Sequence, residues 1–302
     1  MTQQLLPWLQ PLAERLAGLQ ADQRLPHAIL LSGPPGWGQS IVAAWLAHKL
    51  LNLDSEQSIA EVAHPDLRWL QPDGAVIKID QVRQLAAFAI GTKQSANCKV
   101  AVVDQAHGLN EQAANALLKT LEEPPADTYI LLSTEYASRL LPTIRSRCQR
   151  FDVLPDRAAG AAWLESTFDG ATEALAFEYG GAPLAIAEAL GRQEAPLLPA
   201  LTAARKGDVS QLQDALISQE PATVLLRWLR YLIAECSEQG QVAGLADVHQ
   251  RDLMHFQDEL LFAHRQFVSS NSANHRLQLE RLALRFAALG GPNLASGPSQ
   301  VA

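Results

Sequence analysis

The sequence predicts an α/β domain built on a parallel sheet, followed by helical regions without strands. Three observations carry this reading. Short apolar runs alternate with amphipathic helical patterns between about residues 25 and 155. The run "HAILLSG" (His27 to Gly33) leads through "SGPPGWGQS" (Ser32 to Ser40), a glycine-framed turn, into a helix. After about Leu154 the strand-like runs stop while helical periodicity continues.

The elements follow in order. His27 to Gly33 reads as a buried strand, and "SIVAAWLAHKLLNL" as the helix after the turn. "DLRWLQP" is a weaker second strand. "IDQVRQLAAFAIGT" places Val82, Leu85, Ala86 and Ala89 on one helical face, with Asp80 positioned to cap the N-terminus. "KVAVVDQA" (Lys99 to Ala106) has the clearest strand pattern, "NEQAANALLKTLEEPP" is a helix stopped by Pro124 and Pro125, and "TYILLST" and "CQRFDVL" supply the last strands. Residues 1–154 are thus assigned to the α/β domain. Residues 155–191, Ala-rich and broken at "YGGAP", are a small helical lid. Residues 192–290, with amphipathic runs such as "PATVLLRWLRYLIAECSEQ", form a third, all-helical domain, and 291–302 read as a disordered tail.

Composition narrows the function. With 302 residues, 48% of them hydrophobic, the chain can bury several cores. A net charge of −8 argues against a strong independent nucleic-acid binder, which needs clustered Lys and Arg. No apolar run is long enough to span a membrane, and the start lacks the pattern of a signal peptide, so the expected compartment is the cytoplasm. Cys98, Cys148 and Cys236 are too far apart for a CxxC metal site and too few for a disulfide framework; they read as reduced thiols.

Ser32 to Ser40 has the Gly-x4-Gly-x-Ser spacing of a P-loop, in which backbone amides and a helix N-terminus surround phosphates. Gly33 and Gly38 frame the turn, and Ser40 sits where a magnesium-ligating hydroxyl belongs. The lysine that would meet the β/γ-phosphates is replaced by Gln39, which keeps a donor and loses the charge. A plain strand-to-helix turn would use the same glycines. At the end of the strand "VAVVDQAH", Asp104 stands where a Walker-B carboxylate binds magnesium, and Gln105 stands where a catalytic Glu would polarise water. An amide cannot take that proton. Two charged positions are therefore lost together, which makes turnover by this chain alone improbable and leaves the P-loop pair Gln39 and Ser40 and the pair Asp104 and Gln105 as a degenerate nucleotide site. His107 completes "DQAH" and reads as a polar turn residue, while His48 and His64 have no partner at metal-ligand spacing.

"KIDQVRQL" (Lys78 to Leu85), "NALLKTLEEPP" (Asn115 to Pro125) and "TIRSRCQRF" (Thr143 to Phe151) together resemble the bacterial sliding-clamp loader, the AAA+ subunits of DNA polymerase III. The resemblance spans about residues 25 to 155 and extends through lid and third domain to "NHRLQLERL", which looks like the family's collar helix. It implies a RecA-like AAA+ domain, a lid and an oligomerising collar. Loss of both catalytic charges beside a retained Ser146-Arg147-Cys148 motif resembles the family's non-hydrolysing member. In the family this arginine is a finger supplied in trans to the nucleotide of a neighbouring subunit, which assigns that role to Arg147. A finger is worth roughly 10³ to 10⁵ in rate in comparable phosphoryl-transfer systems, and guanidinium suits it by bonding two phosphate oxygens at once. An ordinary surface ion pair is the alternative for this basic segment.

The chain also departs from the family. The four-cysteine zinc module has no counterpart in "NLDSEQSIAEVAHPDL", so no metal is expected. Pro183 and Leu184 stand where active members carry the lid's sensor arginine, and Ser133 and Thr134 occupy the sensor-1 region. The resemblance implies gamma or tau and delta subunits as partners, the clamp and primed DNA being met through the complex, with no membrane and no tightly bound ATP. A self-sufficient P-loop ATPase with substituted catalytic residues, or an AAA+ regulatory module outside replication, are the competing readings.

Overall fold

The computed structural model describes residues 5–53, 63–74, 76–168, 173–217, 221–236, 245, 248–269 and 275–289. They divide between two compact units, Met1–Trp163 with Ala182–Ala185, and Leu164–Gly181 with Ile186–Ala302.

The first unit is built on five parallel strands, β1 (Ala28–Ser32), β2 (Leu67–Leu70), β3 (Lys99–Val103), β4 (Thr128–Thr134) and β5 (Gln149–Asp152), in the order β2-β3-β4-β1-β5. β1 and β3 are buried throughout, as a central strand covered on both faces must be. Strand pleating sends alternate residues to opposite faces. Ile29, Leu31, Val100, Val102 and Leu131 enter one core with Leu9 and Leu46, while Leu30, Ala101, Val103, Ile130 and Leu132 enter the other with Leu85 and Leu117. The first core is covered by α1 (Gln10–Ala21) and α2 (Gln39–Leu51), the second by α3 (Ile79–Ile90) and α4 (Glu111–Glu122). All five strands read from sequence are present.

One local expectation fails. Asp80 does not cap α3: the helix starts at Ile79, its N-cap is Lys78, and the Lys78 amide donates to Gln81 Oε1 at 2.8 Å. The longer Gln side chain reaches back from the third helical position, so Asp80 lies inside the first turn and pairs with Arg83 at 3.2 Å. Before β2, His64 Nδ1 accepts from the Asp66 amide at 3.1 Å, a local turn contact.

The short helix α5 (Pro142–Arg145) leads into β5, and α6 (Arg157–Thr167) follows it. The break at "YGGAP" separates α7 (Glu173–Glu178) from α8 (Pro183–Gly191), with Gly180 and Gly181 at φ 63° and 74°. Then come α9 (Leu197–Arg205), α10 (Ser210–Ile217), α11 (Pro221–Cys236), α12 (Gln250–Ser269) and α13 (His275–Ala287). The second unit's core centres on Trp228, Phe256 and Phe286, whose rings lie 5.3 to 5.7 Å apart. Among the described residues no helix is long and apolar enough to cross a membrane. Most of the cysteine-free stretch before β2, the C-terminal tail and the Cys236 side chain lie outside what is described; Cys98 and Cys148 are buried thiols.

Candidate functional site

The turn after β1 forms at the carboxyl ends of the strands, where open α/β sheets bind ligands. Gly38 is the N-cap of α2 with φ 97°, a conformation that favours glycine. At Gly33 the constraint is space: an added Cβ would lie 2.8 Å from the Val153 carbonyl oxygen and 2.9 Å from Gln39 Nε2.

Gln39 is turned inward. It is buried, and its Nε2 donates to the carbonyl of Pro34 within the loop at 2.7 Å. Ser40 Oγ donates to Asp104 Oδ1 at 2.5 Å and lies 3.3 Å from Ser133 Oγ. Ser133 donates to the same Asp104 oxygen, as does the Gln105 amide at 3.0 Å. Three donors on one oxygen hold the ends of β3 and β4 against the start of α2. The Gln105 backbone is left-handed, φ 50°, and its side chain is exposed. Thr134 Oγ1 accepts from the Tyr136 amide and lies 3.2 Å from His107 Nδ1; the His107 ring stands edge-on to Tyr136 at 5.0 Å. Burial, then the Arg139 charge, lower the His107 pKa, while Asp104 opposes the shift. His107 is thus a turn residue bound to its neighbours, as the sequence suggests.

This donor set is a poor fit to magnesium-nucleotide. The amide that replaces lysine carries no charge to meet a polyphosphate and is committed to the loop's own carbonyl, whereas the Ser40 hydroxyl, donating its proton to Asp104, keeps its lone pairs. Among the described residues no group of three or more His, Cys, Asp or Glu could hold a metal ion.

Sequence reasoning missed a second set of groups beside the loop. Ser32 Oγ donates to Asp152 Oδ1 at 2.5 Å, and Arg150 Nε donates to both, at 2.9 Å to Ser32 and 2.7 Å to Asp152. Arg150 and Asp152 are two apart on β5, paired in register with β1, and that spacing was the available signal. They line a cavity of ≈ 460 Å³ together with Gly33, Pro34, Glu135 and Leu154. From the start of α8, the Leu184 amide donates to the Gly36 carbonyl at 3.2 Å, and Leu184 Cδ1 lies 3.4 Å from where a Gly38 Cβ would be.

Arg147 lies in a separate constellation. Ile144 and Cys148, four apart, are buried, which leaves Arg145 and Ser146 exposed and Arg147 about one-third exposed. Its Nη1 donates to the Thr143 carbonyl at 3.0 Å, and its Nη2 pairs with Glu122 at the end of α4. Ser146 Oγ donates to the Thr143 carbonyl at 3.1 Å. Burial pushes the Cys148 thiol up to about 12, so this cysteine anchors the turn as an apolar group.

Residues 9–157 match the family model described as DNA polymerase III, delta subunit. The chain is 34% identical to the DNA polymerase III subunit delta' of Pseudomonas aeruginosa over 95% of its own length and 98% of that protein. With the DNA polymerase III subunit delta' of Escherichia coli it shares 32% identity over 82% of this chain and 80% of the other. A Thermotoga maritima protein described as DNA polymerase III, gamma subunit-related superposes with a TM-score of 0.56 at 19% identity, covering 91% of this chain and 99% of that one, which shows the shared AAA+ fold. A P-loop turn without its lysine, a strand-end carboxylate followed by Gln105, and a retained Ser146-Arg147-Cys148 turn therefore sit on a chain that belongs to the DNA polymerase III delta' subunit family.

Proposed function

We propose that the chain works as the non-hydrolysing delta' subunit of a cytoplasmic clamp loader, within the DNA polymerase III holoenzyme, assisting ATP-dependent loading of the sliding clamp onto primed DNA. Relatives of part of the chain include proteins named DNA polymerase III subunit gamma and subunit tau, 32% and 33% identical over 42% and 43% of this chain. Gamma or tau and delta are the proposed partners, the helices of residues 192–290 the collar, residues 155–191 the lid, and the clamp and DNA are reached through the assembly.

The observation that carries the reading is the separation of roles. Gln39 is buried, uncharged and bonded to the loop's own carbonyl, whereas the Arg147 guanidinium, held by Glu122 and the Thr143 carbonyl, carries its charge on a partly exposed turn. The first arrangement favours a P-loop kept as architecture, without ATP or metal as cofactor. The second suits an arginine finger offered to the γ-phosphate of a neighbouring subunit. Arg147→Ala is expected to leave assembly of the reconstituted complex intact and to lower its DNA-stimulated ATPase rate. An unchanged rate in a fully assembled mutant complex would sink the assignment.

A further inference from the structure

Trp37 lies inside the P-loop, between Gly36 and Gly38, and neither the degenerate nucleotide site nor the finger uses it. Its side chain is 3% exposed and belongs to the first core of the α/β unit. The 3-10 turn Pro7–Leu9 holds it there. Trp8 Nε1 donates to the Trp37 carbonyl at 3.0 Å, and the two rings meet edge-on with centroids 6.0 Å apart. Trp8 is in turn edge-on to Trp163 of α6 at 5.5 Å. The glycines on either side of Trp37 are held as closely. Leu9 Cδ1 lies 3.0 Å from where a Gly38 Cβ would be, and the Cβ atoms of Ala182 and Ala185 lie 3.0 Å from where a Gly36 Cβ would be. The Gly36 carbonyl accepts from the Leu184 amide, and all of these residues belong to the first unit.

A loop with Gly36 at φ 75° and Gly38 at φ 97° is costly to order, because glycine loses the most conformational freedom on folding. In a nucleotide-binding P-loop, phosphate oxygens on the backbone amides help to offset that cost. Here Gln39 brings no charge to a polyphosphate, and Trp37 supplies a different anchor. A buried indole contributes a large apolar area, the edge-to-face ring pairs add to it, and the Trp8 N–H satisfies a carbonyl of the loop. We propose that Trp8, Trp37 and Trp163 form a lock that orders the P-loop and ties it to Ala182–Ala185 whether or not nucleotide is present. The proposal rests on the reading of the loop as architecture and names the groups that keep it ordered.

The test is hydrogen exchange followed by NMR on the full-length chain, with and without magnesium-ATP, and on Trp37→Val, Trp8→Phe and Leu16→Ala. Trp8→Phe keeps a ring and removes the donor; Leu16→Ala, on α1, opens a control cavity in the same core. Two amides report on the loop, Val42 bonded to the Gly38 carbonyl and Leu184 bonded to the Gly36 carbonyl, and Val100 of β3 and Ile130 of β4 are the references. Relative to the references, protection of Val42 and Leu184 is expected to fall at least about tenfold in Trp37→Val and about threefold in Trp8→Phe, with no such selective loss in Leu16→Ala. Trp8→Phe is the milder change and carries the test if Trp37→Val does not fold. Absence of selective loss in a folded tryptophan variant, or the same selective loss in Leu16→Ala, would overturn the lock and leave the architectural reading standing. Magnesium-ATP is expected to leave the loop of the unmodified chain as protected as before; a rise would remove the architectural reading and the lock with it, so the two failures are told apart.

Discussion

A carboxylate and a guanidinium define how Arg147, the proposed finger, is presented. Glu122 is the last residue of α4, where the helix dipole disfavours negative charge, and the Arg147 cation offsets that cost. Both side chains are substantially exposed, so the pair contributes at most about 1 kcal/mol to folding. Its effect is on direction: with the Thr143 carbonyl, Glu122 fixes two guanidinium nitrogens. Glu122→Ala is therefore expected to change the melting temperature little. In the reconstituted complex it should lower DNA-stimulated ATPase, by less than Arg147→Ala does. Arg147→Lys keeps the charge but loses the planar fork and should resemble Arg147→Ala. A Glu122→Ala complex as fast as the unmodified one would show that the ion pair has no part in presentation.

At the scale of elements, apolar strands and the P-loop were legible because both are local patterns. The pleat of Leu30 and Leu31 onto opposite cores follows from chain alternation alone, and glycine spacing announces the turn at Gly33 and Gly38. What was not legible depends on register between distant strands. Ser133 meets Ser40 only because β4 lies beside β1, although the two serines are 93 residues apart in sequence. The Asp80 expectation failed for a smaller reason: the capping side chain came from the third helical position. Asp66 was also invisible, as a lone aspartate before a weak strand. It is fully buried and accepts from the amides of Gln94, Ser95 and Ala96 at 2.7 to 2.8 Å, pinning the turn that leads into β3. Burial raises its pKa, but the amides and the Ser95 hydroxyl outweigh burial and hold it at about 2. The stability it contributes is present above the ordinary carboxylate range and is lost as pH falls from about 4 through about 2. Asp66→Ala leaves three amides without their acceptor and should cost roughly 2–4 kcal/mol in chemical denaturation at pH 7. Between pH 5 and pH 2 the variant should lose less stability than the unmodified chain; parallel pH profiles would refute this account.

The molecule as a whole holds two units with different devices for cohesion, and the second depends on one buried charge cluster. Arg227 on α11 is 1% exposed and Glu178 at the end of α7 is 2% exposed. The guanidinium donates to Glu178 Oε2, to Glu194 at 3.2 Å and to the Ala195 carbonyl at 3.0 Å. The other Glu178 oxygen accepts from the Leu197 and Leu198 amides at 2.6 and 2.8 Å, capping α9. Three helices distant in sequence thus converge on one ion pair, and removing the cation leaves Glu178 buried without its counter-charge. Arg227→Met preserves much of the aliphatic volume and should cost about 3–5 kcal/mol of the second unit's stability. Because Glu178 touches both α9 and α11, the loss should be shared. In native-state hydrogen exchange, amides of α7, α9 and α11 are expected to lose protection together, while those of β1 and β3 keep theirs. Loss confined to α11 would mean that the cluster only fills space around Arg227. Loss that reached β1 and β3 equally would mean that the two units unfold as one cooperative body and that the cluster does not set a boundary of stability within the chain.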